Sequence, residues 1–122
     1  MNDKVNLAQK LSSFAQLWSP KVIGELNGQF VKLVKCRGEY PWHSHADEDE
    51  LFLVLQGQLE IRLRDSSVTL DEGEFFIVPR GVEHSPAAQR EAHVLLFEPA
   101  STRNTGNVDH EYTIEAENLE RI

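Results

Sequence analysis

Cysteine is nearly absent: Cys36 stands alone among 122 residues, so no internal disulfide forms and a reducing setting is expected. As a small apolar strand residue it reads as a buried thiol rather than a nucleophile. No apolar run is long enough to span a bilayer. The stretch from Met1 to Leu7 lacks the basic start and apolar core of a secretory signal, so the expected location is cytoplasmic. Basic residues are scarce, with 12 Lys and Arg against 20 Asp and Glu and a net charge of −8. That sign repels nucleic acid and anionic membranes, so neither is an expected partner, and it disfavours a highly anionic substrate.

What is present suits one compact domain over residues 1–122, with 40% apolar and 26% charged residues. Leu7, Leu11, Phe14 and Trp18 recur at helical spacing, which predicts a helix over about 4–18. Asn2 or Asp3 would cap it and Ser19-Pro20 would end it. Strand signals follow over about 21–99: Val22–Leu26, Gln29–Cys36, Tyr40–His45, Glu50–Gln56, Gln58–Arg64, Ser67–Leu70, Glu74–Val78, Glu83–Ser85 and His93–Glu98. Asn27-Gly28 between the first two is a two-residue hairpin signal, because both positions need positive φ. Many short strands with frequent turns indicate an all-β barrel or sandwich. The polar tail over 100–122 has no clear periodicity and is expected to cross the barrel or reach a second subunit.

One strand, Leu51-Phe-Leu-Val-Leu55, is apolar at every position, so both faces need cover. Phe52 and Val54 share parity with Glu50 and should face inward. Leu51, Leu53 and Leu55 then point outward, against the helix or against a second copy in a homodimer.

Five histidines are present, and three are placed informatively. His43 and His45 are two apart and leave the same face of an extended chain. Glu50 follows the acidic loop Ala46-Asp-Glu-Asp49, and His84 lies past the Pro79-Arg-Gly81 turn. Three imidazoles and one carboxylate suit one divalent transition metal: Fe, Mn, Ni, Co or Zn. Metal-binding imidazoles must be neutral, so affinity is expected to fall below about pH 6.5. A bare His-X-His is equally what two surface histidines look like, and the wider pattern decides between the two. Asp49 is the rival carboxylate. Asp47 and Glu48 read as loop charges, His93 as structural and His110 as without a role. Tyr40, Trp42, Phe52 and Phe76 are candidates to line a pocket or to fill the core.

The run Gly38-Glu-Tyr-Pro-Trp-His43-Ser-His45-Ala-Asp-Glu-Asp-Glu50-Leu-Phe-Leu-Val-Leu-Gln-Gly57 resembles the first motif of the cupin superfamily, with its first glycine one residue too close. Gly73-Glu-Phe-Phe-Ile-Val-Pro79-Arg-Gly81-Val-Glu-His84-Ser-Pro-Ala-Ala88 resembles the second, with Ala88 where the family has asparagine. The resemblance implies a double-stranded β-helix (jelly-roll barrel) whose metal ligands are His43, His45, Glu50 and His84. The flanking segments look like small bacterial cupins labelled mannose-6-phosphate isomerase-like, a label that carries little functional weight. Function is left between two classes. One is a small metalloenzyme of isomerase, dioxygenase or lyase type acting on a small neutral or singly charged molecule, with Tyr40 or Glu83 as a possible base. The other is a non-catalytic binding or sensing module with a structural metal.

Overall fold

The computed structural model describes residues 3–122. The architecture is the expected all-β roll. In chain order its elements are α1 (Leu7–Leu11), β1 (Lys21–Leu26), β2 (Gln29–Glu39), β3 (Glu50–Gln56), β4 (Leu59–Leu63), β5 (Ser67–Leu70), β6 (Phe75–Val78), β7 (His84–Pro99), a 3-10 turn at Ala116–Asn118 and β8 (Glu120–Arg121). The sheet path is β5-β4-β7-β2-β1-β8, and β3 joins β7 to β6. Strand β7 is the spine: its first residues pair with β4, and the rest runs between β2 and β3. The two expected strands at Glu83–Ser85 and His93–Glu98 are therefore one.

Asn27 and Gly28 take φ values of 50° and 77°, the left-handed pair a two-residue hairpin requires. Alternation sorts β3 as expected. Glu50, Phe52 and Val54 are buried, and Leu51, Leu53 and Leu55 are half-buried on the outer face. The inward rows of β2, β3, β4 and β7 build the core, with Val34, Val54, Leu59, Ile61 and Val94 at its centre.

Two expectations need correction. The helix covers only Leu7–Leu11, capped by the side chain of Asn6. Asp3 is not its cap, and Asn2 lies outside the described residues. Ser12 and Ser13 end it, because their hydroxyls donate to the carbonyls of Gln9 (2.7 Å) and Lys10 (2.6 Å) in place of a further turn. Trp18 then sits at φ 57°, its amide on the Lys35 carbonyl at 2.8 Å, so no Leu/Phe/Trp stripe forms. Likewise Tyr40–His45 is no strand. It keeps one antiparallel bridge, His43 to His84, which holds the two rings together.

The tail crosses the barrel. Asn104 binds the Tyr112 carbonyl (2.8 Å) and the Ile114 amide (2.9 Å), while Asn107 and Ser44 exchange two hydrogen bonds at 2.9 and 3.1 Å. The chain end at Glu120–Arg121 then pairs with β1.

Candidate metal centre

His43 and His84 are tied by mutual backbone hydrogen bonds of 3.1 and 2.9 Å. The Pro79–Gly81 turn that leads into β7 is fixed by Gly81, whose amide donates to the His45 carbonyl at 2.7 Å. Glu50 opens β3 on its inward parity. These contacts bring His43, His45, Glu50 and His84 into one buried group whose donor atoms all lie within 4.8 Å of one another.

The donor set is oriented for a cation. His43 Nδ1 donates to the Pro41 carbonyl at 2.8 Å and His84 Nδ1 to the Val82 carbonyl at 2.9 Å, which turns each Nε2 toward the other donors, with His84 Nε2 3.2 Å from Glu50 Oε1. His45 Nε2 is buried with no hydrogen-bond partner among the described residues, 3.5 Å from Glu50 Oε1. A buried orphan of that kind is costly unless something satisfies it. A divalent ion bound by three imidazoles and a carboxylate does so, and the residues therefore fit the group.

The electrostatics agree. Burial, followed by the nearby His84, lowers the His43 pKa to about 4, which keeps its ring neutral. Burial works to raise Glu50, but the adjoining His45 and His84 rings outweigh it and hold the carboxyl well below its usual range. Burial and the neighbouring Glu50 push the Tyr40 hydroxyl and the Glu98 carboxyl up.

Beside the donors lies a small cavity of about 30 Å³. Its walls include Trp18, Tyr40, Phe52 and Leu96, with His43 and Glu50 at the metal side. Tyr112 from the tail stacks on Tyr40 with ring centroids 5.8 Å apart and planes 5° from parallel.

The other sequence candidates fall elsewhere. Asp49 accepts the Arg80 amide at 2.8 Å and pairs with its guanidinium, outside the donor group. Asp47 is exposed, and Glu48 accepts the Ser101 hydroxyl at 2.9 Å. Glu83 pairs with Arg64 at 3.1 Å on the surface, so it is no base for this cavity. Trp42 packs under Arg64 (4.0 Å to the ring centroid) and Phe76 against the core, so neither lines the cavity. His93 binds Glu91 at 2.8 Å, and His110 packs on Tyr112, both apart from the site. Cys36 does border the cavity, but burial pushes its thiol far up, which suits a packed side chain and not a nucleophile.

Two charged residues escaped the sequence reading. Lys32 and Glu98, each with 1% of its side-chain surface exposed, line the cavity and face each other at 3.7 Å. Parity was the available signal: Phe30-x-Lys32-x-Val34 and Val94-x-Leu96-x-Glu98 put both charges on inward rows.

Comparison with known proteins agrees with this geometry. The family model described as "Cupin domain" matches residues 30–98. A crystal structure of a cupin-2 domain containing protein from Shewanella frigidimarina is 48% identical, with a TM-score of 0.77, and the match covers 78% of this chain and 93% of that one. Uncharacterized protein YdbB of Bacillus subtilis (strain 168) is 41% identical over 63 residues, which is 51% of this chain and 56% of that protein. Quercetin 2,3-dioxygenase of the same organism is 32% identical over 95 residues, 75% of this chain but 27% of the enzyme. The matches thus span just over half of one curated relative and about a quarter of the other. The matched residues run from the start of β2 almost to the end of β7 and include all four candidate ligands, so the chain belongs to the cupin family.

Proposed function

We propose that this cupin binds one divalent transition metal through His43, His45, Glu50 and His84 and is a small metalloenzyme acting on a small neutral or singly charged organic molecule held in the adjoining cavity. The observation that carries this reading is the orphaned, buried His45 Nε2 among three other convergent donors at the wall of an apolar cavity. Such a metal supplies Lewis acidity and, for iron or manganese, redox chemistry. The chain's own contribution is to hold the His43 ring neutral, to fix the orientation of the His43 and His84 rings through their Nδ1 contacts, and to exclude water with Trp18, Tyr40, Phe52 and the tail.

Among the reaction types, dioxygenase chemistry has the most support. A sequence relative is a quercetin 2,3-dioxygenase, and the displacement of Glu83 to the surface removes one of two candidate bases that an isomerase or lyase would use. The remaining one, Tyr40, is kept protonated by burial. The mannose-6-phosphate isomerase-like label therefore gains nothing from the site. The test loads the protein with Fe(II), Mn(II), Ni(II), Co(II) and Zn(II) in turn and screens small molecules for turnover and oxygen uptake. Turnover that depends on the metal and vanishes in Glu50→Ala supports the enzyme. Tight binding without turnover under every metal moves the reading to a binding or sensing module.

The same reading makes the chain a single-domain cytoplasmic homodimer. The outer row of Leu51, Leu53 and Leu55 is only half-buried. Phe75 and Ile77 are 59% and 47% exposed, and they pair with Leu53 and Leu51 to form one apolar face. Sedimentation at micromolar concentration is expected to give twice the 13.9 kDa chain mass. Phe75→Glu is expected to give monomers. A wild-type monomer overturns the assignment.

A further inference from the structure

The cavity beside the donor group, about 30 Å³, has room for a water molecule or two and none for an organic substrate. Part of its wall must therefore move, and the wall is of two kinds. Val34, Phe52 and Leu96 stand on β2, β3 and β7, whose ladders fix one another along most of their length. Asn104 belongs to the tail, as does Tyr112, which stacks on the wall residue Tyr40.

The tail from Arg103 to Glu115 is bonded to itself. Arg103 donates to the Gly106 and Val108 carbonyls (3.1 and 2.7 Å) and to the Asp109 and Glu115 carboxylates (2.6 and 3.1 Å). Asn104 spans to Tyr112 and Ile114, and the Thr105 and Thr113 hydroxyls share a bond of 2.7 Å. Among the described residues, the hydrogen bonds of this segment to the barrel are the two that Asn107 makes with Ser44. Beside them runs a cleft of about 240 Å³, between the tail and the loop after His43, bordered by Ser44, His45, Glu48, Gly106 and Asn107. The cleft meets the donor group at His45, and the cavity meets it at His43 and Glu50. What lies between the two spaces is Gly106, set against His43 and Ser44, together with the Ser44–Asn107 bonds.

We propose that residues 103–115 form a rigid flap latched by Asn107 to Ser44, and that its lifting joins the cleft to the cavity and admits a small molecule to the donor group. A segment held together by its own side chains moves as one piece, so opening breaks chiefly the two latch bonds and the Tyr112–Tyr40 stack. The flanks stay fixed, because the Ala100 amide donates to the Gly28 carbonyl at 3.0 Å and the Ile122 amide to the Val22 carbonyl at 3.1 Å. The joined space approaches the roughly 300 Å³ at which small-molecule pockets begin. This rests on the proposed function, since a chain that takes no organic molecule needs no opening; it uses no property of the metal.

The test therefore runs on the metal-free protein, with Cys36 as the probe: it borders the cavity, is 2% exposed and is the single cysteine of the chain. Its alkylation by iodoacetamide is followed by peptide mass spectrometry. Labelling through the flap is expected to change little up to about 1 M urea, because lifting exposes little surface, whereas labelling through global unfolding climbs steeply. Asn107→Ala removes one latch bond and is expected to speed labelling about fivefold. Ser44→Cys combined with Asn107→Cys, oxidised to a disulfide, is expected to slow labelling of Cys36 at least about tenfold until it is reduced. The wild-type urea series and Asn107→Ala need no cross-link, so they decide even if the two cysteines fail to pair. Wild-type labelling that is absent in dilute urea or climbs steeply with it, an Asn107→Ala rate equal to that of the wild type, or a formed cross-link that leaves the rate unchanged overturns the flap. Metal uptake is measured separately. A chain whose labelling follows the latch yet takes up no metal refutes the metalloenzyme reading alone, and one that takes up metal while its labelling ignores the latch refutes the flap alone.

Discussion

His45→Ala and His84→Ala each release nearly all the metal, from close to one divalent ion per chain to less than about a tenth, as expected when one of four protein ligands is lost from a buried site. Elemental analysis of protein purified without a metal-binding tag reads this directly, and full occupancy in the His45/His84 double variant would remove the assignment. Alanine at either position also costs a donor held in place by backbone contacts: the His45 carbonyl accepts the Gly81 amide, and the His84 main chain is bonded to His43 on both sides. Those contacts survive the substitution, so the β-sheet circular dichroism should persist while the metal is lost. Acid tests the same set of residues. Below pH 6.5 proton competition is expected for ordinary imidazoles, but His43 is held neutral down to about pH 4 and will not contribute until then. In the metal-free protein its depressed pKa contributes stability that is fully present above pH 6.5 and is lost as pH falls from 6.5 to 4. A lowering from 6.5 to about 4 corresponds to about 3 kcal/mol. Urea titrations of the metal-free chain at pH 7 and pH 4 measure it, and equal stability at the two would show that His43 is not held neutral by burial.

The four candidate donors were legible through the resemblance to the two cupin motifs, whose glycines set each donor's distance from a turn or a strand start. Glu50 opens a strand whose bounds, Glu50–Gln56, follow from its unbroken apolar run and from Gly57, which takes φ 86° directly after it. His84 follows a turn whose Gly81 needs φ 81°. The N-terminal helix was misread because four apolar residues at helical spacing outweighed Ser12 and Ser13, whose hydroxyls compete for the very carbonyls the next turn would use. Lys32 and Glu98 were missed for the opposite reason. Their parity was correct for the interior, but charge at an inward position reads as surface until the strand's neighbours are known. The tail gave no signal at all, since alternation does not hold it. Asn104, Thr105 and Asn107 bond the chain across itself and to Ser44, and such side-chain to backbone bonds leave no period in the sequence.

That tail rests on the candidate donor group through one glycine. Gly106 lies at φ 55° with its α-carbon against the loop between His43 and His45, where an added Cβ would stand 2.2 Å from the Ser44 carbonyl oxygen and 3.1 Å from His43 Cδ2. The first contact is with backbone, so no side-chain rotation relieves it. Gly106→Ala therefore combines a left-handed backbone that alanine resists with a direct collision, and the expected loss is ~3 kcal/mol, or about 10 °C in melting temperature for a chain of this size. The strap has two ways to yield. If it lifts, the paired hydrogen bonds between Asn107 and Ser44 break, the Tyr112 ring leaves Tyr40, and the cavity wall beside His43 opens to water. If the His43 loop moves instead, the donor group spreads and the metal is held less tightly. Limited proteolysis separates the two, because a lifted strap is cut within residues 104–113 while the metal content stays near that of the wild-type chain. A Gly106→Ala protein with unchanged melting temperature, proteolysis and metal content would show that the tail does not bear on the site.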